Sequence, residues 1–224
     1  MTMSKSAEKA YATIRNAVLD GYFAPGDHLK EERLVELCGV SRTPVREAIK
    51  RLAAENYVVM KPHLGAHVAK WSPQEIKDIF RLRAMTEGMA ARRAAELITP
   101  EQIGILKEQH KIVDDMLAGK GEFSIETFIT ANKVFHNTLL EATRSEILKQ
   151  AVLRLVSPPI VTRTAINFTH NELKRSNAHH LELIEALESG NGDWSDAVMQ
   201  THILAAYQRF SATIEGQPTE TDRV

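Results

Sequence analysis

The chain has 224 residues, comfortable for two domains, and its 43% hydrophobic and 25% charged residues make an ordinary globular composition. A formal net charge of −1 excludes a polyanion-binding surface spread over the whole molecule. The single cysteine, Cys38, excludes an internal disulfide and a multi-cysteine metal cluster.

The first helix is expected over 6–20, where Tyr11, Ile14, Val18 and Leu19 form an apolar stripe at helical spacing. GYFAPGDHL breaks it with Gly21, Pro25 and Gly26. A short helix is expected over 30–38, with Leu34, Val35, Leu37 and Cys38 on its buried side. Gly39 suits the positive φ that ends a helix. Ser41 or Thr43 can cap the next one; Thr43 would put Pro44 at the favoured first helical position. That helix is expected to reach about Glu55, with Val45, Ala48, Ile49 and Leu52 inward and Arg42, Thr43, Arg46 and Lys50 opposite. YVVMKP and AHVAK, flanking His63-Leu64-Gly65, predict a small β-hairpin. Three helices and a hairpin outline a winged helix-turn-helix, whose third helix enters the DNA major groove.

AKWS (69–72) marks a boundary. Ser72-Pro73-Gln74-Glu75 predicts a capping box opening a helix to about Leu97, and Thr99-Pro100-Glu101-Gln102 a second, opening a helix to about Ala118. GKGEF is a loop. Further helices fit 124–142, 145–168, 171–189 and 193–214. Pro158-Pro159 should kink or split the second of these four, and Asp193 is a plausible cap for the last. The fold class is therefore mainly α. A winged helix-turn-helix domain (1–70) precedes an all-α bundle of about six helices (71–215), followed by a polar, disordered tail (216–224). No run approaches the roughly 18 apolar residues of a membrane span. The N-terminus lacks the apolar core of a secretory signal. A cytoplasmic protein that meets no membrane is expected.

Charge is unevenly placed. Residues 1–70 hold 11 Lys+Arg against 8 Asp+Glu, and 41–70 hold 6 against 2. A local cationic patch is what docking on phosphates requires.

YATIRNAVLDGYFAPGDHL followed by GVSRTPVREAIKRLAAENYV closely resembles the DNA-binding domain of GntR-family bacterial regulators. RLRAMTEGMAARRAAE, NKVFHNTLL, HLELIEAL and DWSDAVMQTHI resemble the helical ligand-binding domain of its FadR-like branch, called FCD. The resemblance implies a homodimeric transcription regulator, not an enzyme. It would bind a palindromic double-stranded DNA operator, with affinity set by a small-molecule effector in the helical domain.

Residue by residue, the resemblance places Arg42, Thr43 and Arg46 on DNA. Their chemistry agrees, because arginine presents a donor fork suited to guanine or phosphate. Ser41 is a short donor for backbone oxygens. Lys50 and Lys61 are longer-range phosphate contacts, and His63 and Gly65 occupy the wing tip. Glu31 and Glu32 suit their helix dipole but would repel phosphates; some family members place an arginine near there.

Many FCD domains hold a divalent metal with an aspartate and three histidines; the matching positions here are Asn132, His136, His180 and His202. Such a set suits zinc, nickel or manganese. Asn132 departs from the pattern and removes one negative charge. His179 is expected to be exposed, since adjacent helix residues point about 100° apart. The resemblance makes Arg83 an effector-carboxylate clamp, where the residues alone also allow a surface pair with Glu87; Arg163 is a second pocket candidate. The residues leave two other functional readings open: a metal-responsive sensor, and a helical metalloenzyme with an appended binding domain. No HExxH motif supports the latter.

Overall fold

The computed structural model describes residues 4–120 and 122–215, so the expected tail at 216–224 lies outside the described residues. The chain divides into two compact units: one runs to Ser72, the other comprises Pro73–Val156 and continues from Ile160.

The first unit contains α1 (Lys5–Leu19), α2 (Glu31–Cys38), α3 (Arg42–Ala54), β1 (Val58–Lys61) and β2 (Gly65–Val68). Ser4 caps α1 by accepting from the Ala7 amide. Gly39, in the left-handed region at φ 61°, closes α2. Ser41, and not Thr43, stands at the N-cap of α3, so Pro44 falls in the first turn and is buried. Ile14, Leu34, Val45, Ala48 and Leu52 are fully buried and knit the three helices together. Leu37, expected to be buried, is exposed; an eight-residue helix buries a narrower face, through Leu34 and Cys38.

The hairpin is antiparallel, pairing Val58 with Val68 and Lys61 with Gly65. Its other edge is covered by the loop before α2. The Leu29 amide donates to Ala66 O at 2.8 Å, Val68 N to Asp27 O at 2.9 Å, and His28 bridges His67. Phe23 and Leu29 of that loop enter the core. A segment that reads only as a helix breaker thus anchors the wing.

The second unit contains α4 (Pro73–Leu97), α5 (Pro100–Leu117), α6 (Ile125–Ala142), α7 (Glu146–Leu155), α8 (Pro158–Ile166), α9 (His170–Glu188) and α10 (Gly192–Glu215). The double proline splits the expected 145–168 helix into α7 and α8, because neither proline can donate to the preceding turn. The capping box at Thr99 and Gln102 forms, and a second joins Thr169 to Glu172. The cap of α10 is Asn191, whose Oδ1 accepts from the Trp194 amide at 3.0 Å; Asp193 lies within the first turn and pairs with Arg92. Small residues let α4 pack tightly on α10: a Cβ at Gly88 would meet Asp196 Oδ1 at 2.2 Å.

Candidate DNA interface and effector site

On the first unit, α3 presents Arg42, Thr43, Arg46 and Lys50 on its exposed face. The Ser41 side chain makes no capping bond, so its hydroxyl stays outside the helix. His63 is exposed at the hairpin turn with φ 61°, and Gly65 takes φ 82°. A Cβ at Gly65 would lie 3.0 Å from His28 Nε2. Glycine therefore meets both a backbone and a space requirement there.

The acids of α2 do something the sequence did not disclose. Arg46 Nε donates to both carboxylate oxygens of Glu31, at 2.9 and 3.0 Å. Arg42 Nη2 stands 3.5 Å from Glu32. The hydrogen bond from Arg46 lowers the Glu31 pKa and raises that of Arg46. These pairs are exposed, so solvent and salt screen them and a polyanion can compete for the arginines. Lys50, Met60 and Gly65 line a groove beside them.

On the second unit, three histidines converge from three helices: His136 of α6, His180 of α9 and His202 of α10. One ring nitrogen from each lies within 4.8 Å of the others. His180 stacks on Phe135, with ring centroids 4.0 Å apart and planes 5° from parallel. His180 Nε2 and His202 Nδ1 are buried without a hydrogen-bond partner. Burial, and then the neighbouring histidines, push both pKa values well below the ordinary range. Both rings are neutral at pH 7, with lone pairs available. His136 Nδ1 lies 3.0 Å from Glu87 Oε2, a partner that fixes the ring and leaves Nε2 as its donor atom.

Arg83 and Glu87 are 7% and 2% exposed, and Arg83 Nε donates to Glu87 Oε1 at 2.8 Å. The expected pair forms, but in the core and not on the surface. Burial alone would raise the Glu87 pKa; Arg83 and His136 together outweigh it and hold the carboxyl at about 2. Glu87 thus carries a negative charge shared between an arginine and a histidine.

Beside this cluster lies a cleft. Asn132, His136 and His202 line it, with Arg83, Thr164, Ser176 and the rings of Phe80, Phe128 and Phe168. His179 also lines it. It is half-buried with its Nδ1 unpartnered, contrary to the expected exposure, because it faces the cleft with Arg175 and Ser176 of the preceding turn. Arg175, one turn earlier, is exposed at the same wall. Arg163 is half-buried on α8 and is not among the lining residues; burial lowers its pKa. The residues present fit a divalent metal: three neutral imidazoles, two with orphaned buried nitrogens, plus an amide oxygen donor on the same cleft.

A winged helix-turn-helix joined to an all-helical unit is the build of a DNA-binding regulator. Residues 6–68 match the model of "Bacterial regulatory proteins, gntR family" and residues 78–205 match "FCD domain". The chain belongs to the GntR family of transcriptional regulators, in its FCD-bearing, FadR-like branch. It is similar to the Nta operon transcriptional regulator of Aminobacter aminovorans, 28% identical over 89% of this chain and 91% of that protein. An HTH-type transcriptional regulator in the TAR-I ttuE-ttuC' intergenic region of Agrobacterium vitis is 31% identical over 58% of this chain and 77% of its own. The E. coli McbR/YncC structure superposes with a TM-score of 0.66 at 24% identity, covering 93% of this chain and all of that one. These relatives are regulators, not enzymes, which removes the metalloenzyme reading. Among the described residues no helix is long and apolar enough to cross a membrane.

Proposed function

We propose that the protein is a homodimeric transcription regulator that binds a palindromic operator through α3 and the hairpin, and releases or engages it when a small carboxylate enters the helical unit. Residues 1–70 form the reader and 71–215 the effector-binding and dimerisation domain. Arg42 and Arg46 supply donor forks for guanine or phosphate, Ser41, Thr43 and Lys50 hold the backbone, and His63 and Gly65 bring the hairpin turn to the duplex. Two copies double the contact and require a symmetric site.

The observation that carries the effector side is the convergence of His136, His180 and His202, with two buried unpartnered nitrogens, beside the Arg83-lined cleft. His136, His180, His202 and Asn132 would hold a zinc, nickel or manganese ion, which when bound supplies positive charge and open positions for a carboxylate. Arg83 borders the same cleft, its charge balanced by Glu87, so it orients a carboxylate more than it neutralises one. Phe80, Phe128 and Phe168 set the size and apolar character of the remainder.

Regulation requires unequal effector affinity for two arrangements of the protein. The linker at Lys70–Ser72 is the segment through which a change in the helical unit would reach the readers. The test measures operator affinity of the purified dimer by gel shift, with and without candidate carboxylates, alongside native mass spectrometry for subunit number and bound metal. Operator affinity indifferent to every carboxylate that binds the protein would overturn this mechanism. A change on chelation alone would establish the metal-sensor reading in its place.

A further inference from the structure

The donor set that converges on the cleft contains no negative charge of its own. A metal-bound imidazole is neutral, and the Asn132 amide is neutral at every pH. The nearest buried carboxylate, Glu87, is already spent: Arg83 Nε at 2.8 Å and His136 Nδ1 at 3.0 Å take its two oxygens. Glu172 is the one carboxylate lining the cleft among the described residues, and it caps α9 through Thr169 and stands 3.5 Å from Arg209. Arg83, balanced by Glu87, and Arg175 line the same space. A doubly charged ion among such groups is left uncompensated where His180 and His202 are 3% and 7% exposed. Burying charge without a counter-charge is costly.

We infer that Asn132 makes this a coincidence site: a divalent ion is held tightly only together with an anion from solution, so metal and carboxylate effector bind as a cooperative pair. The inference rests on the metal reading proposed above and adds the coupling. The cleft gives the anion its entry. A carboxylate oxygen supplies the charge that the amide lacks, Arg175 favours the same sign, and Arg83, balanced by Glu87, orients it. Thermodynamic reciprocity then requires the ion to raise carboxylate affinity by the factor by which carboxylate raises ion affinity. Neither partner alone would occupy the site fully, and the regulator would respond to the two concentrations jointly.

Zinc affinity of the full-length protein is measured by competition with a chromophoric chelator, in carboxylate-free buffer and in a large excess of acetate. Acetate is expected to tighten zinc binding by the wild type about tenfold or more, within the usual range of coupled sites. Asn132→Asp is expected to bind zinc tightly in both buffers, with the acetate gain largely lost. Equal zinc affinity of the wild type in the two buffers, or an undiminished acetate gain in the aspartate variant, sinks the coupling. The wild-type comparison stands whether or not the variant folds. If neither protein binds zinc in either buffer while both give native circular dichroism, the metal reading itself fails, which is a different result from metal binding without coupling.

Discussion

The two units use charge in opposite ways. In the first, the arginines of α3 are on the surface and their partners Glu31 and Glu32 are exchangeable, because exposed pairs contribute little and yield to competing anions. In the second, Arg83 and Glu87 are paired inside the core, where removing one partner strands the other. One arrangement suits the proposed reader, whose arginines would trade these partners for phosphates. The other holds His136 in place through Glu87. Where a salt bridge sits thus says more about its use than the residues that form it.

Breaking the buried pair should give the largest effect. Glu87→Gln leaves Arg83 without its counter-charge and should cost about 3–5 kcal/mol in denaturant unfolding. If it costs no more than an exposed pair, the contrast between the units is wrong. Gly88→Val comes next: the new side chain meets Asp196 on α10, and overpacking of this kind costs about 1–3 kcal/mol. In the reader, Arg46→Ala should weaken operator binding about 5- to 150-fold if the side chain reads a base, and leave thermal stability nearly unchanged. Unchanged gel-shift affinity in both Arg42→Ala and Arg46→Ala would falsify the assignment of this face. A cap deletion is smaller: Asn191→Ala should cost about 1 kcal/mol, while Asp193→Ala should cost less, since Asp193 does not cap α10.

A further prediction concerns pH and belongs to the first unit. Tyr11 is held with its pKa raised to about 12, chiefly by burial and then by its hydrogen bond to Glu55 at 2.5 Å. The folded state therefore keeps a proton that the unfolded chain loses near pH 10. This contribution is complete below pH 10 and is lost as pH rises toward 12. Ultraviolet titration of tyrosinate should find a late-titrating tyrosine in the wild type that is lost in Tyr11→Phe.

Much of the fold was legible in the chain. The capping box at Thr99, the double proline and Gly39 each act through their own few residues, and the helices begin and end where those signals stand. Legibility failed where a choice depended on distant neighbours. Thr43 looked a better cap than Ser41 because of Pro44, but packing drew Pro44 into the core. Phe23 and Leu29 sat in a stretch marked only by its breakers. The angle between His179 and His180 along α9 cannot reveal that a cleft lies beside His179. Glu31 and Glu32 are a loop away from Arg42 and Arg46, beyond any helical spacing rule.

The sequence by itself determined a reader followed by a helical unit, the arginine-bearing face of α3 and the neutral amide at Asn132. These follow from local periodicity, turn chemistry and residue identity. Only the tertiary structure decided that His136, His180 and His202 meet, that Arg83 and Glu87 pair in the core, and that the acids of α2 close on the arginines of α3. Each joins residues whose distance is set by how helices pack, and packing is a property of the whole apolar core that no short window of sequence contains.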